Sequence, residues 1–301
     1  MAGLPGLIDF HTHFFSGSPL ERVGERTPAS LAAGDAGTGD RAAPDLGLAE
    51  GQRLRWSETL ADQGVSHAGS FADHEDEADA LLAGAEASAG RLVPFCLADP
   101  TAKGAVDRAE ERFARRGLRG LVLAPALHGY RIDEDRVAPL LDLADRMGAP
   151  VVVHAGLLPP RLADADHGRP YDPSLSSPLH LIPTAQRFPR ATFVVPRFGG
   201  GFLRETLMAG EVCENVLVDS SGDQAWLRTQ TTHFRLEDLF ERALGVFGAD
   251  RILFGTGSTL LPRGWRFDLF HLQREALGAL EVGPADQALV FHDNARRVLG
   301  L

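Results

Sequence analysis

Asp9-Phe10-His11-Thr12-His13 closes an apolar run near the start of the chain. In an extended backbone alternate residues share a face, so Asp9, His11 and His13 are expected to point to one side. Two imidazoles two residues apart on a strand can bind one divalent metal, and a nearby carboxylate can orient such a ligand. His154 ends the run Val151-Val152-Val153, where an imidazole packs no better than leucine, and Ala155-Gly156 behind it permit a tight turn. His74 in Asp73-His74-Glu75 and His128 in Leu127-His128-Gly129-Tyr130 follow two further runs. Arg197 follows the run Thr192 to Pro196, and Asp219 ends another in Val218-Asp219-Ser220-Ser221. Tyr130 and Ser220 are candidate substrate contacts beside them. His67, His167, His180, His233, His271 and His292 are assigned no chemistry.

These residues need elements that bring them together. Eight short β-rich runs recur: Gly6 to Phe10, Ser66 to Phe71, Leu92 to Ala98, Leu118 to Ala124, Pro150 to His154, Thr192 to Pro196, Asn215 to Asp219 and Arg251 to Gly255. Helix-period stretches lie between most of them. Val137, Leu140, Leu141, Ala144 and Met147 repeat at helical spacing before Gly148, and Leu236, Leu239, Phe240, Ala243, Leu244 and Phe247 do so before Gly248, each glycine a natural stop. Val106, Ala109 and Phe113 repeat the pattern on a shorter stretch. Strands alternating with helices indicate parallel βα units, and eight of them fit a closed (β/α)8 TIM barrel better than an open sheet. In such a barrel the side chains at the carboxyl ends of the strands line the active site, and the residues singled out above fall at those ends. Residues 16–53 are rich in Gly, Ala, Pro and Asp with little periodicity, and read as a lid-like loop over the mouth within one domain spanning 1–301.

Composition narrows the function. The chain has 301 residues and a formal net charge of −11, which argues against nucleic acid or an anionic membrane as partner. No apolar run reaches the roughly 18 residues of a membrane helix, and no signal-peptide pattern opens the sequence. Two cysteines make no disulfide framework and fit a reducing cytoplasm. Lys103 is the single lysine, so a Schiff-base mechanism would have to use it.

The residues carry a resemblance over nearly the whole chain. Ile8-Asp9-Phe10-His11-Thr12-His13, Arg91-Leu92-Val93-Pro94-Phe95 leading to Asp99-Pro100, Met147-Gly148-Ala149-Pro150-Val151-Val152-Val153-His154-Ala155-Gly156, Arg197-Phe198-Gly199-Gly200, Ile252-Leu253-Phe254-Gly255-Thr256 and Asn294-Ala295-Arg296-Arg297-Val298-Leu299-Gly300 resemble the amidohydrolase superfamily. The likeness is to its amidohydrolase-related branch, typified by aminocarboxymuconate semialdehyde decarboxylase. The resemblance implies a metal-binding barrel in which His11, His13 and His154 match the metal-binding histidines. It also implies hydrolysis or non-oxidative C–C cleavage, including decarboxylation, and pairing into a homodimer. Two positions depart from the pattern. After strand six the family has a histidine where this chain has Arg197, and after strand eight it has a metal-binding aspartate where this chain has Gly257. The carboxylated lysine that binuclear members carry after strand four is also missing, since that strand reads Leu121-Val122-Leu123-Ala124-Pro125.

Arginine is no base near neutral pH, but it can hold a carboxylate in a two-pronged bond. Arg197 therefore reads as a substrate clamp, with pairing to an internal carboxylate as the plainer alternative. The missing base has candidates in His74, His128, Asp73 and Asp219. The expected function is an enzyme acting on a small carboxylated or cyclic substrate, with one divalent metal, zinc first, held by three histidines. The alternatives are a metal-free lyase, isomerase or cyclase on the same fold, and an inactive ligand-binding barrel.

Overall fold

The fold is that of a computed structural model, which describes residues 6–14, 49–72, 77–157, 170–259 and 264–301. Residues 16–48 of the expected lid-like loop lie outside the described residues. Its last residues open the helix Ala49–Asp62.

Among the described residues, nine parallel strands form one curled sheet: β1 (Leu7–Phe14), β2 (Val65–Ala72), β3 (Leu92–Leu97), β4 (Gly120–Leu123), β5 (Val151–Val153), β6 (Phe193–Val195), β7 (Val216–Asp219), β8 (Ile252–Leu253) and β9 (Ser258–Thr259). Their order is β8-β7-β6-β5-β4-β3-β2-β1-β9. All eight runs read from the sequence are strands. Helices also lie where the periodicity predicts them, at Ala105–Arg116, Ala138–Met147 and Leu236–Phe247, and Gly148 and Gly248 follow with positive φ. The segment from β8 to β9 bonds on both sides. Ile252 pairs with Val218 of β7, Phe10 N–H donates to Phe254 O at 2.8 Å, Gly257 N–H donates to His11 O at 2.8 Å, and Ser258 pairs with Thr12 of β1.

Each face of the sheet has its own apolar cluster. Inside the curl, Ile8, Phe10, Phe71, Phe95, Val152, Val194, Leu217 and Leu253 pack together, plugged by Ala295 and Leu299 of the last helix. Outside it, Leu7, Leu121, Val151, Phe193, Val216 and Ile252 meet the helices. Buried on both faces, the strands read as continuous apolar runs. Among the described residues, no helix is long and apolar enough to cross a membrane.

One irregularity decides where the first histidine points. Asp9 pairs with Ala68 and Thr12 with Ser70, so β1 spends one more residue than β2 over this stretch. That is a β-bulge, and it breaks the alternation of side chains. Phe10 and His11 consequently both lie against Phe71, with ring centroids 6.2 and 4.2 Å away. Asp9, placed between Ile8 and Phe10, points to the other face. The expectation that Asp9 shares a face with His11 and His13 is therefore corrected. The bulge requires Gly69: a Cβ there would sit 2.0 Å from the Phe10 carbonyl oxygen. Gly69→Ala should lower stability by about 2–4 kcal/mol. Gly245→Ala, on a helix with nothing within 4 Å of the new Cβ, should be neutral or slightly stabilising. Thermal or denaturant unfolding of the two variants checks this, and equal midpoints would remove the constraint assigned to the bulge.

Candidate functional site

Asp219, the last residue of β7, is fully buried at the carboxyl edge of the sheet. Its Oδ2 lies 2.8 Å from His11 Nδ1. Its Oδ1 accepts the backbone N–H of Arg197 and that of Ser221, both at 2.9 Å. Ser221 Oγ stands 3.1 Å from the same His11 nitrogen. Burial pushes the Asp219 carboxyl up, but His11, Ser221 and the Arg197 N–H together outweigh it and hold the group below its ordinary value. An ionised carboxylate only accepts, so His11 donates through Nδ1 and Nε2 becomes the basic nitrogen. This is the arrangement by which a carboxylate orients a proton-transferring imidazole.

Arg197 begins a turn in which Arg197, Phe198, Gly199, Gly200 and Gly201 all have positive φ. For arginine and phenylalanine that conformation costs roughly 1–2 kcal/mol each. Burial of Phe198 against Phe240, with centroids 5.3 Å apart, and the N–H bond to Asp219 offset it. The turn also packs on the one that follows β5: a Cβ on Gly156 would lie 2.3 Å from Gly200 O. His154 and Arg197 therefore stand on two interlocked turns. The Arg197 Nε is buried and has no hydrogen-bond partner among the described residues, and no ion pair to its guanidinium is found among them. The plainer reading, pairing with an internal carboxylate, is not what these residues show.

Other expected residues fall elsewhere. Ser220 is fully buried, and its hydroxyl donates to Gln273 Oε1 at 2.6 Å. In this arrangement its hydroxyl braces the loop. Gln273 also reaches Gly255 O at 3.0 Å, while Gln224 Nε2 reaches Ser220 O at 3.0 Å and Ser221 O at 2.9 Å. Tyr130 is likewise fully buried and stacks behind His128 at 6.4 Å. His128 Nδ1 lies 3.9 Å from Asp99 Oδ1, so its described partners belong to the β3 and β4 ends. His74 and Asp73 lie outside the described residues. Sequence reasoning missed Ser221; alternation from Asp219 was the signal that could have found it.

Asp9 does not bond the His11 ring. It accepts the His11 N–H at 3.1 Å, the Thr256 N–H at 3.1 Å and hydroxyl, and Trp265 Nε1 at 2.8 Å. It thus ties the segment after β8 to β1.

The match to the family model described as amidohydrolase runs over residues 8–301. The chain belongs to the amidohydrolase family, a family of enzymes. A search of curated proteins gives no match. Among solved structures, the chain is similar to an amidohydrolase from Burkholderia multivorans with bound zinc (TM-score 0.66, 16% identity, 99% of this chain and 100% of that one). It is similar to 5-carboxyvanillate decarboxylase from Novosphingobium aromaticivorans, complexed with manganese and 4-hydroxy-3-methoxy-5-nitrobenzoic acid (0.63, 17%, 98% and 96%). It is also similar to a probable 2-pyrone-4,6-dicarboxylic acid hydrolase from Acinetobacter baumannii with citric acid bound (0.62, 13%, 99% and 100%). At these identities the likeness is one of fold.

Zinc and manganese in these relatives raise the question of fit. Among the described residues, no group of three or more His, Cys, Asp and Glu side chains is arranged to hold a metal ion. The His11 and His13 rings are 5.0 Å apart, and Gly257 offers no side chain. The described residues do not make up the expected three-histidine centre. Protein purified without chelator or metal-affinity tag should accordingly hold less than stoichiometric zinc or manganese by elemental analysis. One full equivalent that disappears in His11→Ala would reverse this.

The two buried carboxylates also give a pH signature. Burial pushes Asp9 up to about 6 from 3.8, against the opposing effect of its hydrogen-bond donors. Its folded value exceeds its unfolded one, so the stability it contributes is full below pH 3.8 and is lost as pH rises through about 6. Relative to Asp9→Asn, the parent protein should lose about 3 kcal/mol across that window. Asp219 is lowered and acts in the opposite sense below its ordinary value, so the two windows are separate. A pH-independent difference in unfolding free energy between parent and Asp9→Asn would refute the assignment.

Proposed function

We propose that this chain is a hydrolase or carbon–carbon lyase of the amidohydrolase family that acts on a small carboxylated molecule, on a single-domain (β/α)8 barrel. Arg197 grips the substrate carboxylate, and His11, oriented by Asp219, moves the proton. The observation that carries this reading is a buried arginine nitrogen without a partner among the described residues, on the turn whose N–H bonds the carboxylate that orients His11. Bonds from the β8 to β9 segment to both β7 and β1 support the closed barrel. The carboxylated ligands of the structural relatives support the substrate class.

The roles follow from the chemistry of each group. A guanidinium binds a carboxylate bidentately and without proton exchange. When His11 takes up a proton at Nε2, Asp219 balances the imidazolium charge. When it gives the proton back, to a leaving group or to the carbon from which carbon dioxide departs, the Asp219 bond keeps the ring in place. No side chain at 257 assists, so proton movement falls to His11.

A panel of aromatic and pyrone carboxylates, followed for carbon dioxide release and for ring-ester hydrolysis, finds the reaction. On the substrate found, Arg197→Ala should raise KM by about 10–100-fold, and Arg197→Lys should recover part of it. His11→Ala and Asp219→Asn should lower kcat by about 100-fold or more with little change in KM. An unchanged KM in Arg197→Ala sinks the clamp. Affinity without turnover across the panel would favour a ligand-binding barrel.

A further inference from the structure

Two glycines stand between Arg197 and the end of β8. Gly257 has φ +65°, and a Cβ built on it meets nothing closer than the backbone N of Gly222 at 3.4 Å and its Cα at 3.6 Å. Gly222 has φ +84°, and a Cβ built on it would lie 3.3 Å from Arg197 Nε. Position 257, Gly222 and the arginine side chain are thus successive neighbours, and the middle one is bare backbone. The acids around them are engaged elsewhere. Asp219 is taken up by His11, Ser221 and the Arg197 N–H. Asp223 accepts the Ala225 N–H at 3.1 Å, and its charge acts on Arg266. A cation faces a wall without side chains.

We propose that Gly257 and Gly222 form the bare wall of a carboxylate seat whose cation is Arg197, and that the substrate's carboxylate enters the volume a side chain at 257 would fill. Residue 257 is then the position that decides whether an external carboxylate can bind. The inference rests on the reading of Arg197 as the clamp. It adds which wall the carboxylate lies against and why that wall is glycine. A carboxylate built into the chain at 257 would pair with Arg197 and take the place of the ligand's own.

The test compares Gly257→Asp with Gly257→Asn, each with Arg197 and with Arg197→Met. Both side chains have the same size and tolerate positive φ similarly, so backbone strain cancels. Without ligand, Gly257→Asp should melt about 2–4 °C above Gly257→Asn when Arg197 is present, and no higher in the Arg197→Met background. Equal melting differences in the two backgrounds overturn the seat. Calorimetric titration with benzoate and citrate gives the second arm. Arg197→Met, Gly257→Asn and Gly257→Asp should each weaken binding at least about tenfold. Loss in Arg197→Met with parental affinity in Gly257→Asn overturns the seat and leaves the clamp. Parental affinity in Arg197→Met overturns the clamp itself. If the parent binds neither probe, the melting cycle still decides. Gly257→Ala, which adds only the Cβ, replaces Gly257→Asn in the titration if the larger variants do not fold.

Discussion

The buried carboxylate of Asp219 joins three strands at one point. It stands on β7, holds the His11 ring from β1 and accepts the first N–H of the turn after β6. A charge without water is costly unless it is paired and hydrogen-bonded. Here both oxygens are engaged: one by an imidazole, the other by two backbone amides, with the Ser221 hydroxyl beside them. The same bonds fix the plane of His11 and anchor a turn that otherwise runs through unfavourable backbone space. Ser220, Gln224 and Gln273 then brace the loop behind it, so the position of Asp219 is set from the outer face of the sheet as well.

Asp9 and Asp219 are equally buried and meet opposite fates. Asp9 has four donors, all neutral, and desolvation dominates. Asp219 has an imidazole beside it, and the balance tips to the ionised form. The first carboxylate is structural: it ties Thr256 and Trp265 to β1. The second is electrostatic, and it orients the group that can exchange protons. Two acids on apolar strands are thus separated in role by their partners, not by their burial.

The match to the amidohydrolase family runs over nearly the whole chain, residues 8–301. By the resemblance read from the sequence, Arg197 and Gly257 stand where the family is expected to carry a histidine and an aspartate. These two positions are near each other, with Gly222 between them. The proposed anion seat rests on this neighbourhood, a glycine near an arginine whose Nε has no partner among the described residues. The Gly69 constraint belongs to a different level. It concerns the backbone of β1, and it sets which way His11 faces before any chemistry is considered.

The sequence alone determined the eight strand runs, three of the helices between them and the ends on which chemistry could sit. Runs such as Val151 to Val153, and helices stopped by Gly148 and Gly248, are local patterns, and local periodicity records which residues are buried together. It also placed Arg197 and Asp219 at strand ends, and it put His11 just past a run that β1 extends to Phe14. Which of them meet was decided by tertiary structure. His11 and Asp219 are 208 positions apart, and no spacing rule connects them. The bulge at Phe10 and His11 reversed the expected facing of Asp9, because an extra residue on one strand shows only against its neighbour. Ser220 and Tyr130 look like site residues in sequence and are buried behind it. A polar residue's type says what it can bond, while its surroundings decide what it does bond, and those surroundings come from distant parts of the chain.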